Sequence, residues 1–392
     1  MFLVQTTSSG VGFYNMSVYM PELARLLDRS LADVSFAVSL FFLCGGVAGV
    51  WIARWLDRVS IKALMAGSAL VCAVLLALVS EITQLWQAYV LFAGFGAANT
   101  GISLVVATTL ITRWFPGPEK SVALSIASTG LSVGGILIAP LSAYLFNSLG
   151  FAPTMLVVAA IMALGVVPVV WWLVSWPSAS GELDNAGTVA SAQDHTAAYK
   201  EALRERFFIL LSLAYIFLMG SQVGGISHLY NLTETLGGYE NAARAVQIMT
   251  VTSILGHFSG GWILTRVDVQ PFAYANICIQ IAGLCVLAAA NAQASLILAW
   301  SGAALFGVSV GNLLMLQPLW LAQVYHPSIY PRVYAMAYGL SVIGVASGPF
   351  LMGVAYDQAN YAVAYVCAAA ISLLGLVAVL FAGPGRRLPL PA

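Results

Sequence analysis

Long apolar stretches fill this chain, separated by short polar ones. About twelve runs approach or exceed the ~20 residues an α-helix needs to cross a bilayer. They lie near 3–24, 34–54, 62–80, 85–111, 121–147, 152–175, 207–231, 245–264, 271–291, 294–324, 333–356 and 361–382. The pattern predicts an all-α membrane protein. One stretch breaks it for long enough to be a linker, residues 177–203, rich in Ser, Ala and charge, whose end AYKEALRER reads as a short surface helix. The expected organisation is a six-helix half at 1–176, the linker at 177–203 and a second six-helix half at 204–392.

An internal echo supports two halves. Residues 130–140, GLSVGGILIAP, return at 339–349 as GLSVIGVASGP, and Phe95-Gly96 and Pro116 recur as Phe306-Gly307 and Pro327. Repeats at long offset fix architecture before any local reading does, and in an apolar chain paired repeats mark secondary transporters. Gly130, Gly134, Gly135, Gly339, Gly344 and Gly348 read as close-packing positions, and Pro140 and Pro349 as sites where a helix can bend.

Charge orients the bundle. Of the 15 Lys and Arg, all but Arg25, Arg29 and Arg244 fall on one side of this partition. By the positive-inside rule that side is cytoplasmic, with both termini on it. The setting that follows is a bacterial inner (plasma) membrane, crossed many times. Trp86, Trp171, Trp172 and Trp176 sit near run ends as interface anchors. No basic n-region or A-x-A site precedes the first run.

Composition narrows the chemistry. The chain is 60% hydrophobic and 8% charged, against roughly a quarter charged in a soluble domain. Net charge is zero, which speaks against nucleic acid as a partner. Cys44, Cys72, Cys278, Cys285 and Cys367 fall in the runs without CxxC spacing and read as small buried apolar residues, not disulfides or metal ligands. Gly94-Phe-Gly96 lies inside an apolar run with no preceding strand, so it is no nucleotide loop. Neither a nucleophile beside a base nor a metal cluster is present, so no enzyme, metal or cofactor is expected. A monomer is expected.

Asp57-Arg58 followed by Lys62, after the second run, has two readings. It is a charge latch that pairs with a neighbouring helix end in one conformation, or it merely obeys the charge bias. The gating candidates are Asp57, Arg58 and Lys62, with Arg113 and Arg266 on the same side. His257 is an ionisable group well inside a run, and such groups are costly and usually functional. An imidazole there could carry a proton or become a conditional cation; the plainer alternative is a neutral ring bonded to a carbonyl. His228 is placed towards the outer end of the seventh run, facing an outer vestibule. His195 and His326 fall in loops.

D-R-x-x-x-K at 57–62 resembles the loop motif of the major facilitator superfamily, with Ala53 in place of its leading glycine. Thr112–Gly130 with Pro140, Gly12–Tyr19, and Gly348-Pro349 with Tyr356-Asp357 resemble the monocarboxylate-transporter and oxalate/formate-antiporter branch. The resemblance implies alternating access by two rocking halves, with the cavity lined mainly by helices one, four, seven and ten and parts of five, eight and eleven. Tyr14, Asn15, Tyr19, Asn99, Thr100, Gln222, Asn312, Gln317 and Tyr338 are neutral polar groups at depth on those helices. Each alone reads as interhelical glue, and as a set, with His228 and His257, they form the expected substrate-binding residues. His257 stands where branch members that carry carboxylates hold an arginine, and Thr265 where an acid is common. The expected function is secondary transport of a small organic solute, a monocarboxylate or related anion, with protons as a possible co-substrate through His257. Export of a neutral or weakly polar compound is the alternative, and a receptor that binds without carrying is a third.

Overall fold

The structure, a computed structural model, describes residues 1–55, 59–115, 119–174, 191–326, 328–383 and 385. Among the described residues every regular element is helical: α1 Phe2–Ser8, α2 Met16–Leu27, α3 Leu31–Trp55, α4 Ile61–Val79, α5 Leu85–Asn99, α6 Leu104–Trp114, α7 Glu119–Leu149, α8 Phe151–Leu173, α9 Ser191–Arg204, α10 Arg206–Ile263, α11 Val269–Ala292, α12 Leu296–Val324, α13 Tyr330–Gln358 and α14 Tyr361–Ala382. Among the described residues, ten helical stretches are long and apolar enough to cross a membrane. Large apolar side chains such as Leu164, Trp172, Ile297 and Phe381 point outward, more than 60% exposed, as a surface solvated by lipid requires.

The ten become twelve spans for two physical reasons. At 1.5 Å per residue a straight α10 would run about 87 Å, against a hydrocarbon core of ~30 Å. It is two spans, because Gly238 sits at φ 80°, ψ 177° and turns the chain back. The apolar runs near 207–231 and 245–264 leave residues 232–244 between them. The chain instead stays helical on both sides of this one residue, since Glu234, Glu240 and Asn241 are compatible with a helix end at an interface and only a glycine takes that φ without strain.

The other addition is the first span, which is not one α-helix. A π-helical segment, Ser9–Tyr14, separates α1 from α2. The fourth span is broken too, by a 3₁₀ turn at Thr100–Ile102 between α5 and α6. Both runs read as continuous in sequence. The breaks face each other: Ser8 donates to Asn99 Oδ1 at 3.0 Å, and Gln5 donates its amide to the Ile102 carbonyl at 3.0 Å. A buried helix can lose its regular ladder only where such partners replace it.

The repeated glycines explain how the bundle closes. A methyl group on Gly134 would come within 2.6 Å of the Gly10 nitrogen, and one on Gly348 within 2.9 Å of the Gly224 nitrogen. So α7 lies directly on the first span and α13 on the seventh, the same relation in each copy of the repeat. Gly339 differs, because a Cβ there meets nothing within 4 Å. The cysteine expectation also needs correction. Only Cys72 is buried; Cys44 is intermediate, and Cys278, Cys285 and Cys367 are exposed on the bundle's outside.

Candidate functional site

Where the first six spans meet the last six, polar contacts gather toward the face that holds Arg25, Arg29 and Arg244. Arg25 Nη1 lies 2.8 Å from Glu22 on its own helix, and Nη2 lies 2.6 Å from Glu234 on α10. Below this pair α3 offers a row of groups at helical spacing. The Ala32 amide donates to Asp357 Oδ2 at 2.9 Å, Ser35 Oγ lies 3.3 Å from His228 Nε2, and Ser39 Oγ accepts from the Phe350 amide at 3.2 Å. Gly353 on α13 admits the contact, since a Cβ there would sit 2.8 Å from Ser35 Oγ. These contacts close the base-poor face. Sequence reading did not single out Glu22, Arg25, Ser35, Ser39, Glu234 or Asp357 for this role. In the sequence Asp357 stood out only within the Tyr356-Asp357 motif and Arg25 only by its side of the membrane, and the others were polar residues in runs or near run ends.

His228 is not in a vestibule. Because α10 stays helical to Gly237, it lies nine residues inside, about 14 Å, and it is 0% exposed. His257 sits about 9 Å from the other end of α10 and is half-buried. Its Nδ1 lies 2.8 Å from the Gly311 carbonyl. A carbonyl only accepts, so Nδ1 carries the hydrogen and Nε2 is the basic nitrogen.

The expected binding residues divide by what they touch. Asn15 is fully buried and donates to Tyr19 Oη at 3.1 Å and Ser142 Oγ at 2.8 Å. Tyr19 donates to the Val11 carbonyl and packs edge-on against Phe92 and Phe146. Thr100 donates to the Gly45 and Gly96 carbonyls, tying α5 to α3. These three are engaged in holding helices together. Tyr14 lies at the meeting of the halves, against Gly135 of α7, where Thr250 of α10 also packs. Asn99 faces Gly12 in the paired breaks.

Gln222 is 2% exposed with Oε1 unpartnered, and Asn312 is 3% exposed with Oδ1 unpartnered. Gln317 exchanges bonds with Ser341. Tyr338, at 46% exposure, lies one turn from Val342, which packs on Gly46 of α3. It therefore occupies the α13 face turned toward the first half, on the basic side of that contact. Tyr334 and Tyr330 continue the same face, with ring centroids 6.1 and 6.0 Å apart.

Of the gating candidates, Asp57, Arg58 and the Arg113 side chain lie outside the described residues. Lys62 donates to the Trp171 carbonyl at 3.0 Å, joining α4 to α8. Arg266 stacks on Trp262, 3.9 Å from the ring centroid. Sequence reading missed a buried network centred on Gln280, whose amide reaches Leu218 O, Ser221 and Ser372 while its oxygen accepts from Ser309. Two clefts, of about 350 and 430 Å³, lie beside the basic end of α10 and contain none of these groups.

The chain resembles known transporters throughout. It is 25% identical to a gallate transporter of Pseudomonas putida over 332 residues, 75% of this chain and 72% of that protein. A phosphoglycerate transporter protein of Salmonella typhimurium is 23% identical, covering 88% of this chain and 80% of its own length. The multidrug resistance protein MdtG of Dickeya zeae is 31% identical over 149 residues, 38% of this chain and 36% of that one. In fold the chain matches the crystal structure of the nucleoside transporter NupG with a TM-score of 0.77 at 12% identity, covering 97% of this chain and 98% of that one. The Major Facilitator Superfamily profile matches residues 2–328, and this chain is a member of that family, a multi-pass membrane transporter of small molecules.

Proposed function

We propose that this protein carries a small organic anion, a monocarboxylate or hydroxy-substituted acid, across a bacterial inner membrane by alternating access, with its basic face cytoplasmic. The observation that carries the reading is His257: half-buried, its Nδ1 held by Gly311 O, its Nε2 left to take a proton and meet a carboxylate. No Lys or Arg lies near the middle of any predicted span, so this histidine is the conditional cation. Gln222 and Asn312 offer unpartnered amide oxygens to solute hydroxyls. Tyr14, Asn99, Gln317 and Tyr338 complete the proposed lining; Lys62 and Arg266, with Asp57, Arg58 and Arg113 taken from the sequence alone, are the proposed gating charges. Gallate and phosphoglycerate, named for two relatives, are both hydroxylated organic acids.

Uptake of labelled benzoate, gallate, lactate and 3-phosphoglycerate into proteoliposomes, with and without an inward proton gradient, tests this. Gradient-stimulated uptake of at least one acid, lost in folded His257→Ala, is the expected result. Active protein that moves none of them would turn the reading to the second one, export of a neutral compound. The partial match to a multidrug resistance protein favours that alternative.

A further inference from the structure

The hydrogen bonds around His228 fix its tautomer. Nε2 lies 2.9 Å from the Pro349 carbonyl, which can only accept. Its second neighbour, Ser35 Oγ, has one hydrogen, and the 2.6 Å bond to the Leu31 carbonyl uses it. Ser35 therefore meets the ring as an acceptor, and Nε2 carries the hydrogen for both contacts. Nδ1 is left as a bare lone pair. It is buried without a partner, as are Asn231 Nδ2 and Tyr361 Oη, and the Tyr361 ring stands edge-on at 6.0 Å.

We propose that Nδ1 of His228 is a proton-binding site whose occupancy favours opening of the base-poor face. The neutral ring is content in the closed gate, since its one N–H bridges α13 and α3. A second proton at Nδ1 creates an imidazolium with 0% exposure, and burying an unpaired charge is costly. The surroundings do not compensate it. On α13, Asp357 acts on the ring only at a distance, and its carboxylate already accepts from Ala32; Tyr356 packs on Tyr361. On α14, Tyr361 and Tyr365 are neutral phenols. On α10 and α2, Glu234 and Glu22 are both held by Arg25, and Tyr230 lies near that group. On α3, Asp33 lies in the first turn, its amide donating to Ser30 Oγ.

Parting α3 from α10 and α13 admits water, and the cation becomes stable. By linkage, whatever the open state gains in proton affinity, the proton gives back as bias toward opening. The proton comes from hydronium on the base-poor side: one of its O–H bonds breaks, an N–H bond forms at the Nδ1 lone pair, and a water molecule is released. The site is independent of which solute is carried, and it adds a gate sensor distinct from His257.

The test is pulsed electron resonance in nanodiscs, between spin labels on Glu81→Cys and Gln293→Cys, in protein whose five native cysteines are replaced and whose transport is retained. Between pH 8 and 5 the longer, open-face distance should grow. Its ratio to the short distance should rise up to about tenfold per pH unit below ~6.5, the ordinary histidine value. His228→Gln, which keeps an N–H for Pro349, should abolish the response, and Glu234→Gln should keep it. A pH-independent parent overturns the proposal, and so does His228→Gln with an unchanged response. Nitrogen NMR of histidine-labelled parent protein is a second test that needs no folded variant. Nδ1 should be unprotonated at pH 8 and gain a proton as the open population grows; a ring that stays neutral through pH 5 refutes the site.

Discussion

Gln280 shows what a single buried side chain can contribute and how poorly sequence announces it. It stands in a long apolar run, where a lone polar residue reads as interhelical glue or as nothing. In the fold it is 0% exposed and binds three helices at once. Gln280→Leu removes two donors and an acceptor: the Ser309 hydroxyl hydrogen loses Gln280 Oε1, and Ser221 and Ser372 lose their shared donor, while Leu218 O keeps Ser221. Each unsatisfied buried group costs about 1–3 kcal/mol. The expected outcome is a clear fall in thermal unfolding temperature in detergent, with the apparent KM of the surviving fraction unchanged. A KM shift without loss of stability would mean that Gln280 faces solute. The histidines follow the same rule. Both were visible as letters, but which nitrogen carries the hydrogen depends on carbonyls of Gly311 and Pro349, 54 and 121 residues away in the chain.

Among the elements, hydropathy located every span because lipid imposes it, and it located none of the breaks. In the 3₁₀ turn at Thr100–Ile102 the Ile102 carbonyl is taken by the Gln5 amide, and in the π-segment at Ser9–Tyr14 the Val11 carbonyl is taken by the Tyr19 hydroxyl; neither partner is a near neighbour that hydropathy could flag. The repeated GLSV motif was legible as a repeat, while its glycines were not equal. Gly344 lies on the backbone of Ile216 and Gly220, whereas Gly339 has open space. Gly339→Ala should therefore leave yield and thermal stability within error, and Gly344→Leu should drive α13 off α10 and abolish monodisperse protein in size-exclusion chromatography. Equal behaviour of the two would contradict this helix contact. Gly238 is a third case: Gly238→Ala places a Cβ at φ 80°, ψ 177° and should cost about 1–3 kcal/mol, read as a lower unfolding temperature at intact packing.

For the whole molecule, the question is what keeps one face shut. Arg25 and Glu234 form the most visible tie, yet the Arg25 side chain is 57% exposed, and such pairs contribute about 0–1 kcal/mol. Closure must then be the sum of several modest bonds along α3, each weak enough to release when the halves rock. That is the arrangement a gate needs, since a single strong tie would trap one state. It also predicts that a covalent tie at the same place stops the cycle. Ala32 and Asp357 touch through an amide and a carboxylate, so Ala32→Cys with Asp357→Cys sets a thiol pair across the contact for cross-linking on oxidation. Oxidised protein should lose solute flux and recover it with reductant. Asp357→Asn alone, which keeps a carbonyl for the Ala32 amide, should retain most of it. Full cross-linking with undiminished flux would mean that α3 and α13 never part here, and that solute passes without this face opening.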